Sequence, residues 1–278
     1  LGSDTVAAAF RDAVADHDVK AIVFRIDSPG GSYVASDTIW REVVRARAAG
    51  KPVIATMGNV AGSGGYFVAM AADKIVAQPG TITGSIGIFG GKAVTTELVD
   101  NRLGLTHDRI ALGAHAGFWS MNREYSPDEW ARLQGWLDRV YVDFTGKVAE
   151  GRKLPKEKVL QIAKGRIWTG EDAKGLGLVD ELGGMDTAMR LLRQAIGAGD
   201  GEPMNLKRFP QQKEMQQVFA ERFFGRDPEN SEPHAGTRAA PIFSTRWIAA
   251  LAPLLRVLAD LAEPTESALE MPTVPTLR

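Results

Sequence analysis

The stretch Pro52-Val53-Ile54-Ala55-Thr56-Met57-Gly58-Asn59-Val60-Ala61-Gly62-Ser63-Gly64-Gly65-Tyr66-Phe67-Val68-Ala69 decides the fold. The apolar run Pro52 to Thr56 reads as a buried strand, and the Ala- and aromatic-rich run after Gly65 reads as a helix. Between them one hydroxyl, that of Ser63, is held among glycines where strand hands over to helix. Such a junction exposes a side chain, lets backbone N–H groups approach a substrate, and aims the positive end of a helix dipole at it. A serine nucleophile needs these three things. The same glycines also suit a tight turn with close helix packing, so the surrounding chain has to choose between the two.

Outward from this point, strand and helix patterns alternate. Upstream, Asp4 reads as the N-cap of a helix Thr5 to Asp16, followed by a strand Lys20 to Ile26. A loop at Ser28 to Ser32 leads to a helix Val34 to Ala48 with Ile39, Trp40, Val43 and Val44 on one face. Downstream come a strand Lys74 to Ala77, a Gly-punctuated strand or loop Thr81 to Phe89, a helix Thr96 to Leu103 and a strand Arg109 to Leu112. Ser126 with Pro127 opens a long helix to about Gly151. Helices at Pro155 to Ala163, Glu171 to Lys174 and Met185 to Ile196 follow. This alternation predicts an α/β fold with a largely parallel sheet flanked by helices.

The 278 residues, 44% hydrophobic and 24% charged, suit an ordinary globular protein of one large or two small domains. A net charge of −1 gives no electrostatic reason for a nucleic-acid partner. With no cysteine, disulfides, thiolate metal sites and cysteine nucleophiles are excluded. No metal-ligand pattern occurs, and Gly62-Ser63-Gly64-Gly65 lacks the lysine of a phosphate loop, so neither metal nor other cofactor is expected. The character changes after residue 200, giving a domain at 1–200 and a helical C-terminal extension at 201–278. That extension reads as a linker from Arg226 to Pro241 and an apolar stretch from Arg246 to Leu261, which Pro253 and Arg256 make too short and broken to cross a bilayer. The chain begins with Leu and no signal peptide, which reads as a piece of a longer polypeptide.

A second glycine pair, Gly30-Gly31, also follows an apolar strand. Loops at the carboxyl ends of neighbouring parallel strands meet in one crevice, so Gly31 and Gly64 together form a candidate oxyanion hole. The bland alternative is a turn fixed by Pro29. A serine also needs a base. Of the four histidines, His17 and His234 read as solvated and His107 as surface, leaving His115 in its Gly-rich loop. Lys92, after Gly90-Gly91, is the local lysine to weigh, with a solvated role as the simpler reading.

Several motifs together resemble the bacterial signal peptide peptidase A (protease IV) family. They are Ile26-Asp27-Ser28-Pro29-Gly30-Gly31-Ser32, Ala61-Gly62-Ser63-Gly64-Gly65-Tyr66, Ala72-Asp73-Lys74-Ile75, and Thr81-Ile82-Thr83-Gly84-Ser85-Ile86-Gly87. Gly165 to Gly170 and Ala173 to Gly183 extend the likeness to about residue 200. The resemblance implies the fold shared by the Clp proteolytic subunit and the crotonases. It implies a serine endopeptidase acting on short apolar peptides such as cleaved signal peptides, at the bacterial cytoplasmic membrane with its catalytic part on the extracytoplasmic side. Ser63 matches the family nucleophile, Gly31 and Gly64 the oxyanion positions, and Ser85 a serine that hydrogen-bonds the lysine base. Short members carry that lysine after a Gly-Ala-His-like segment, where this chain has Ala116. Long tandem members supply it from their amino-terminal half. The chain therefore resembles the carboxyl-terminal half of a tandem enzyme, with the upstream half and further copies as expected partners. A peptide-binding scaffold without catalysis and a crotonase-like acyl-CoA enzyme are the rival readings.

Overall fold

In the computed structural model the described residues are 2–199 and 203–210, all within the unit Leu1–Gln212. The spine is β2 (Val53–Gly62), whose side chains alternate between two apolar layers. Val53, Ala55 and Met57 join one cluster with Phe10, Val43, Phe67, Phe144 and Val148. Ile54 points the other way, into a smaller cluster with Val76, Ala188, Leu191 and Leu192. The period of two along a strand thus sorts residues between α1 (Ser3–Ala15), α2 (Tyr33–Ala48), α3 (Gly64–Ala69) and α4 (Pro127–Arg152) on one face and α7 (Met185–Ile196) on the other. Between α4 and α7 lie two short helices, α5 (Lys156–Ile162) and α6 (Gly170–Leu176).

The expected α/β architecture is present. β1 (Ile22–Ser28), β3 (Lys74–Ala77) and β4 (Ile82–Gly84) all run parallel to β2, and β6 (Glu181–Leu182) runs parallel to β3. Among the described residues only β5 (Ile167–Thr169) is antiparallel, on β4. β1 follows one edge of β2, while β3 and then β4 follow the other: Ile54 to Thr56 pair with β3, and Val60 to Gly62 with β4. The spine changes neighbour halfway along. That arrangement explains why β2 runs on to Gly62 instead of stopping at Thr56, since β4 and the end of β1 supply ladder partners that no local apolar pattern announces.

Two local expectations need correction, and a third is met in an altered form. Gly2, not Asp4, is the N-cap of α1, and Asp4 lies in the first turn, where its charge complements the helix dipole. The expected helix Thr96 to Leu103 is present and takes π form over Glu97–Arg102, with no buried residue. Arg109 to Leu112 is not a strand: Ile110 and Leu112 are 98% and 93% exposed, and both edges of β4 are already taken by β2 and β5. The extension at 201–278 lies outside the described residues apart from 203–210.

The long helix α4 starts as its sequence predicts. Ser126 N–H donates to Glu129 Oε2 (2.9 Å), Glu129 N–H donates to Ser126 Oγ (3.2 Å), and Pro127 occupies the first helical turn. Glu129, 1% exposed, also takes two hydrogen bonds from Arg123, at 2.7 and 2.5 Å. The Arg123 guanidinium, then the Ser126 amide, hold its carboxyl at about 2 against an ordinary 4.5. A depressed carboxylate favours the fold fully above about 4.5 and loses that contribution as pH falls toward about 2. The melting temperature of the wild type should therefore fall more steeply from pH 4.5 to 2 than that of Glu129→Gln; parallel curves would contradict this.

Candidate active site

β2 ends at Gly62 and α3 begins at Gly64, leaving Ser63 as the junction with φ 52° and ψ −119°. A non-glycine residue at positive φ stores strain of order 1–3 kcal/mol, so its surroundings must hold it. Ser63 N–H donates to Gly84 O at the end of β4 (2.9 Å), and Ser63 O accepts from Phe67 N–H (2.9 Å) to start the helix. Its hydroxyl makes no capping bond and is half-buried. The backbone is fully engaged while the side chain stays free.

The Pro29–Ser32 turn sits against this junction. Gly30 N–H donates to Ser28 Oγ (3.2 Å), folding the turn back at a Gly30 φ of 105°. A Cβ on Gly30 would lie 2.6 Å from Gly64 N and 2.8 Å from Ser63 Cβ. One on Gly64 would lie 2.5 Å from Ser36 Oγ and 3.1 Å from Gly31 N. The two glycine turns thus touch backbone to backbone, and the sequence-predicted Gly31 and Gly64 come together beside Ser63. Ser32 caps α2 immediately after Gly31, so the N-terminus of that helix faces the same crevice.

Ser85 completes the group. It too has positive φ (49°), its N–H donates to Arg166 O (2.7 Å), and its Cβ lies 3.5 Å from where a Gly62 side chain would begin. The other candidates are engaged elsewhere. His115 Nε2 faces Asp128 Oδ2 (3.4 Å), and His107 faces Asp100 (3.2 Å). Lys92 Nζ donates to Phe118 O (3.0 Å) and lies 4.2 Å from the Tyr125 ring centroid. Desolvation, aided by Arg123, pulls the Lys92 amine below its ordinary 10.5, yet nothing it touches belongs to the Ser63 crevice. Ala116 is exposed in its loop. Ser28 and Ser36 shape this region; Ser28 stands in the Ile26–Ser32 motif with the Ser-x-Gly spacing of a side-chain turn, whereas Ser36 carries no motif of its own.

A mainly parallel sheet with strand-end turns converging on a half-buried serine is the α/β, Clp-protease-like arrangement that the sequence leads one to expect. The sequence pattern of Peptidase family S49 matches residues 45–198, more than half of the chain and inclusive of Ser63, Gly64 and Ser85. The chain belongs to that family. It is 46% identical over 189 residues to Protease 4 of Salmonella typhi, covering 68% of this chain and 30% of that protein. It is 40% identical over 189 residues to the chloroplastic serine protease SPPA of Arabidopsis thaliana, covering 68% and 27%. A putative signal peptide peptidase SppA of Enterococcus faecium is 32% identical over 179 residues, covering 64% and 52%. The chain spans under a third of the two longer relatives and about half of the shorter one.

The contact between the turns generates a stability test. Gly30→Ala should lower the melting temperature, an overpacking cost of about 1–3 kcal/mol, because backbone atoms of Ser63–Gly64 occupy the space. Gly50→Ala, at a φ of 78° but with nothing within 4 Å of its methyl, carries the backbone strain without the clash and should lower it less. Equal behaviour of the two would mean the turns are not in contact.

Proposed function

We propose that this domain carries the nucleophile of a serine endopeptidase and that Ser63 is that nucleophile. The observation carrying the reading is the strained Ser63 junction packed against the Gly30–Gly31 turn, with its hydroxyl free. A neutral amine takes the Ser63 Oγ proton as Oγ attacks the scissile carbonyl carbon. The negative charge on the carbonyl oxygen is met by the N–H groups of Gly31 and Gly64; such donors are worth about 10²–10³ in rate each. The protonated amine then gives its proton to the departing amide nitrogen, leaving an acyl ester on Ser63. Water, losing a proton to the same amine, hydrolyses that ester and restores the serine.

The amine, in this reading, is a lysine from an upstream half of the same polypeptide. Supporting this are Ala116 at the short members' lysine position and the engagement of Lys92 and His115 with other groups. Burial between two packed halves would lower the lysine pKa toward neutrality, and Ser85 Oγ, beside Gly62, would orient it. Substrates would be short, extended, apolar peptides such as cleaved signal peptides, bound by strand addition beside the crevice. Among the described residues no helix is long and apolar enough to cross a membrane. Attachment to the bacterial cytoplasmic membrane through an upstream anchor, with the catalytic part on the extracytoplasmic side, and assembly into a homo-oligomer belong to the same proposal. A scaffold that binds peptides without cleaving them is the competing reading, favoured only by the engagement of the local bases.

In the complete protein, Ser63→Ala should abolish peptide-ester hydrolysis and fluorophosphonate labelling while leaving the melting temperature near that of the wild type. Full hydrolysis by that variant would refute the assignment. No labelling of the wild type would favour the scaffold.

A further inference from the structure

The spine strand has a defect at the point where it changes neighbour. Along the β1 edge the register jumps from Ile26↔Met57 to Ser28↔Ala61, so Asp27 alone faces Gly58, Asn59 and Val60. Along the other edge, pairing stops at Thr56↔Val76 and resumes at Val60↔Ile82. Residues 57–59 are therefore a kink lacking ladder partners on the β3–β4 side, and unpaired backbone polar groups have to be satisfied somehow.

Two side chains bond the backbone of this stretch, one from each edge. Asp27 Oδ1 accepts from Val60 N–H (3.2 Å), and its carboxylate occupies the room left by Gly58, where a Cβ would sit 2.5 Å from Oδ2. Opposite it, Thr81 Oγ1 donates to Gly58 O (2.8 Å) and accepts from Gln78 N–H (3.1 Å). Thr81 is 2% exposed, so its hydroxyl is desolvated and its bond to Gly58 costly to lose. Immediately beyond, Thr83 Oγ1 donates to Ala61 O (2.8 Å). The kink sets the register of the β4-paired half of β2 relative to its β3-paired half, and hence where Ser63 emerges relative to Gly31 and Ser85.

We propose that Asp27 and Thr81 are positioning residues that clamp the kink of β2 and thereby set Ser63 in register with the Gly30–Gly31 turn and Ser85. The inference rests on Ser63 being the nucleophile. Neither residue reaches the crevice atoms that would touch substrate; each acts through the backbone of Gly58 or Val60. A displacement of about 1 Å at a nucleophile can cost around 100-fold in rate without changing how substrate binds. The clamp therefore predicts a loss in kcat without a matching change in KM.

The test uses the complete protein with a peptide ester, comparing wild type, Thr81→Val, Thr81→Ser and Asp27→Asn. Thr81→Val keeps the shape and removes the hydroxyl; Thr81→Ser keeps the hydroxyl. Thr81→Val should lower kcat about 10- to 100-fold at near-constant KM. Thr81→Ser should restore most of it, and Asp27→Asn, which can still accept from Val60 N–H, should lose less than Thr81→Val. An unchanged kcat in Thr81→Val, or a fall no larger than its loss of folded protein, would overturn the proposal. If wild type and Ser63→Ala hydrolyse equally, the nucleophile assignment fails and amide exchange decides the clamp by itself. Faster exchange of Ser63 N–H in Thr81→Val but not in Thr81→Ser supports the clamp, and equal exchange in both overturns it.

Discussion

The structure depends on the backbone contact between two glycine turns, Gly30–Gly31 at the end of β1 and Gly62–Gly65 at the end of β2. Both turns end strands that run parallel and adjacent, so they come to the same rim of the sheet without any long-range device. What remains is a matter of ångströms. A Cβ on Gly30 would fall within 2.9 Å of three atoms in the Gly62–Gly64 segment, and one on Gly65 would sit 2.5 Å from Ser28 O. The absence of side chains here is what lets the two amide-bearing turns meet backbone to backbone. Positive φ at Gly30 then directs the turn inward, a conformation few other residues adopt.

Holding Ser63 at positive φ has to be offset elsewhere, and the helix that follows does this. Phe67 and Met70, 1% and 0% exposed, are worth about 1.5–3 kcal/mol each on burial, against strain of about 1–3 kcal/mol at Ser63. Phe67 is held by Phe144 of α4 at a ring-centroid distance of 4.8 Å and by Tyr33 of α2 at 5.7 Å. Lys147 lies over the Trp40 ring (4.5 Å) and pairs with Asp37 of α2 (2.6 Å) and Asp143 of α4 (2.7 Å). Tyr33 Oη donates to the same Asp143 oxygen (2.7 Å). With its side chain 13% exposed, that lysine ties the helix after the Gly30–Gly31 turn to the helix that buttresses α3. The two sides of the crevice share one foundation.

What could be read from the sequence follows a physical rule. Features encoded by contiguous residues were legible: the Ser63 junction, the Gly30–Gly31 turn, the strand Lys74–Ala77, the capped start of α4, and Met185–Ile196. Features created by distant partners were not. β2 gains its second half from β4, β5 exists only as the antiparallel neighbour of β4, and β6 only as the parallel neighbour of β3. Conversely, the alternation of Ile110 and Leu112 looked like a strand but pairs with none, and both side chains face solvent. In the candidate site, Ser63, Gly31, Gly64 and Ser85 could be named because each stands in a motif, and they converge. Asp27 and Thr81 stand in the same motifs, but their bonds to Val60 and Gly58 depend on a register jump that no local pattern encodes.

The central claim is geometric: the amides of Gly31 and Gly64 and the hydroxyl of Ser63 address one carbonyl. A crystal structure of the complete protein after reaction with a peptidyl phosphonate or boronate tests it most directly. The account predicts a covalent bond to Ser63 Oγ and an adduct oxygen about 2.7–3.1 Å from both the Gly31 and Gly64 nitrogens. An adduct on another residue, or one on Ser63 whose oxygen turns to solvent away from both amides, would contradict it.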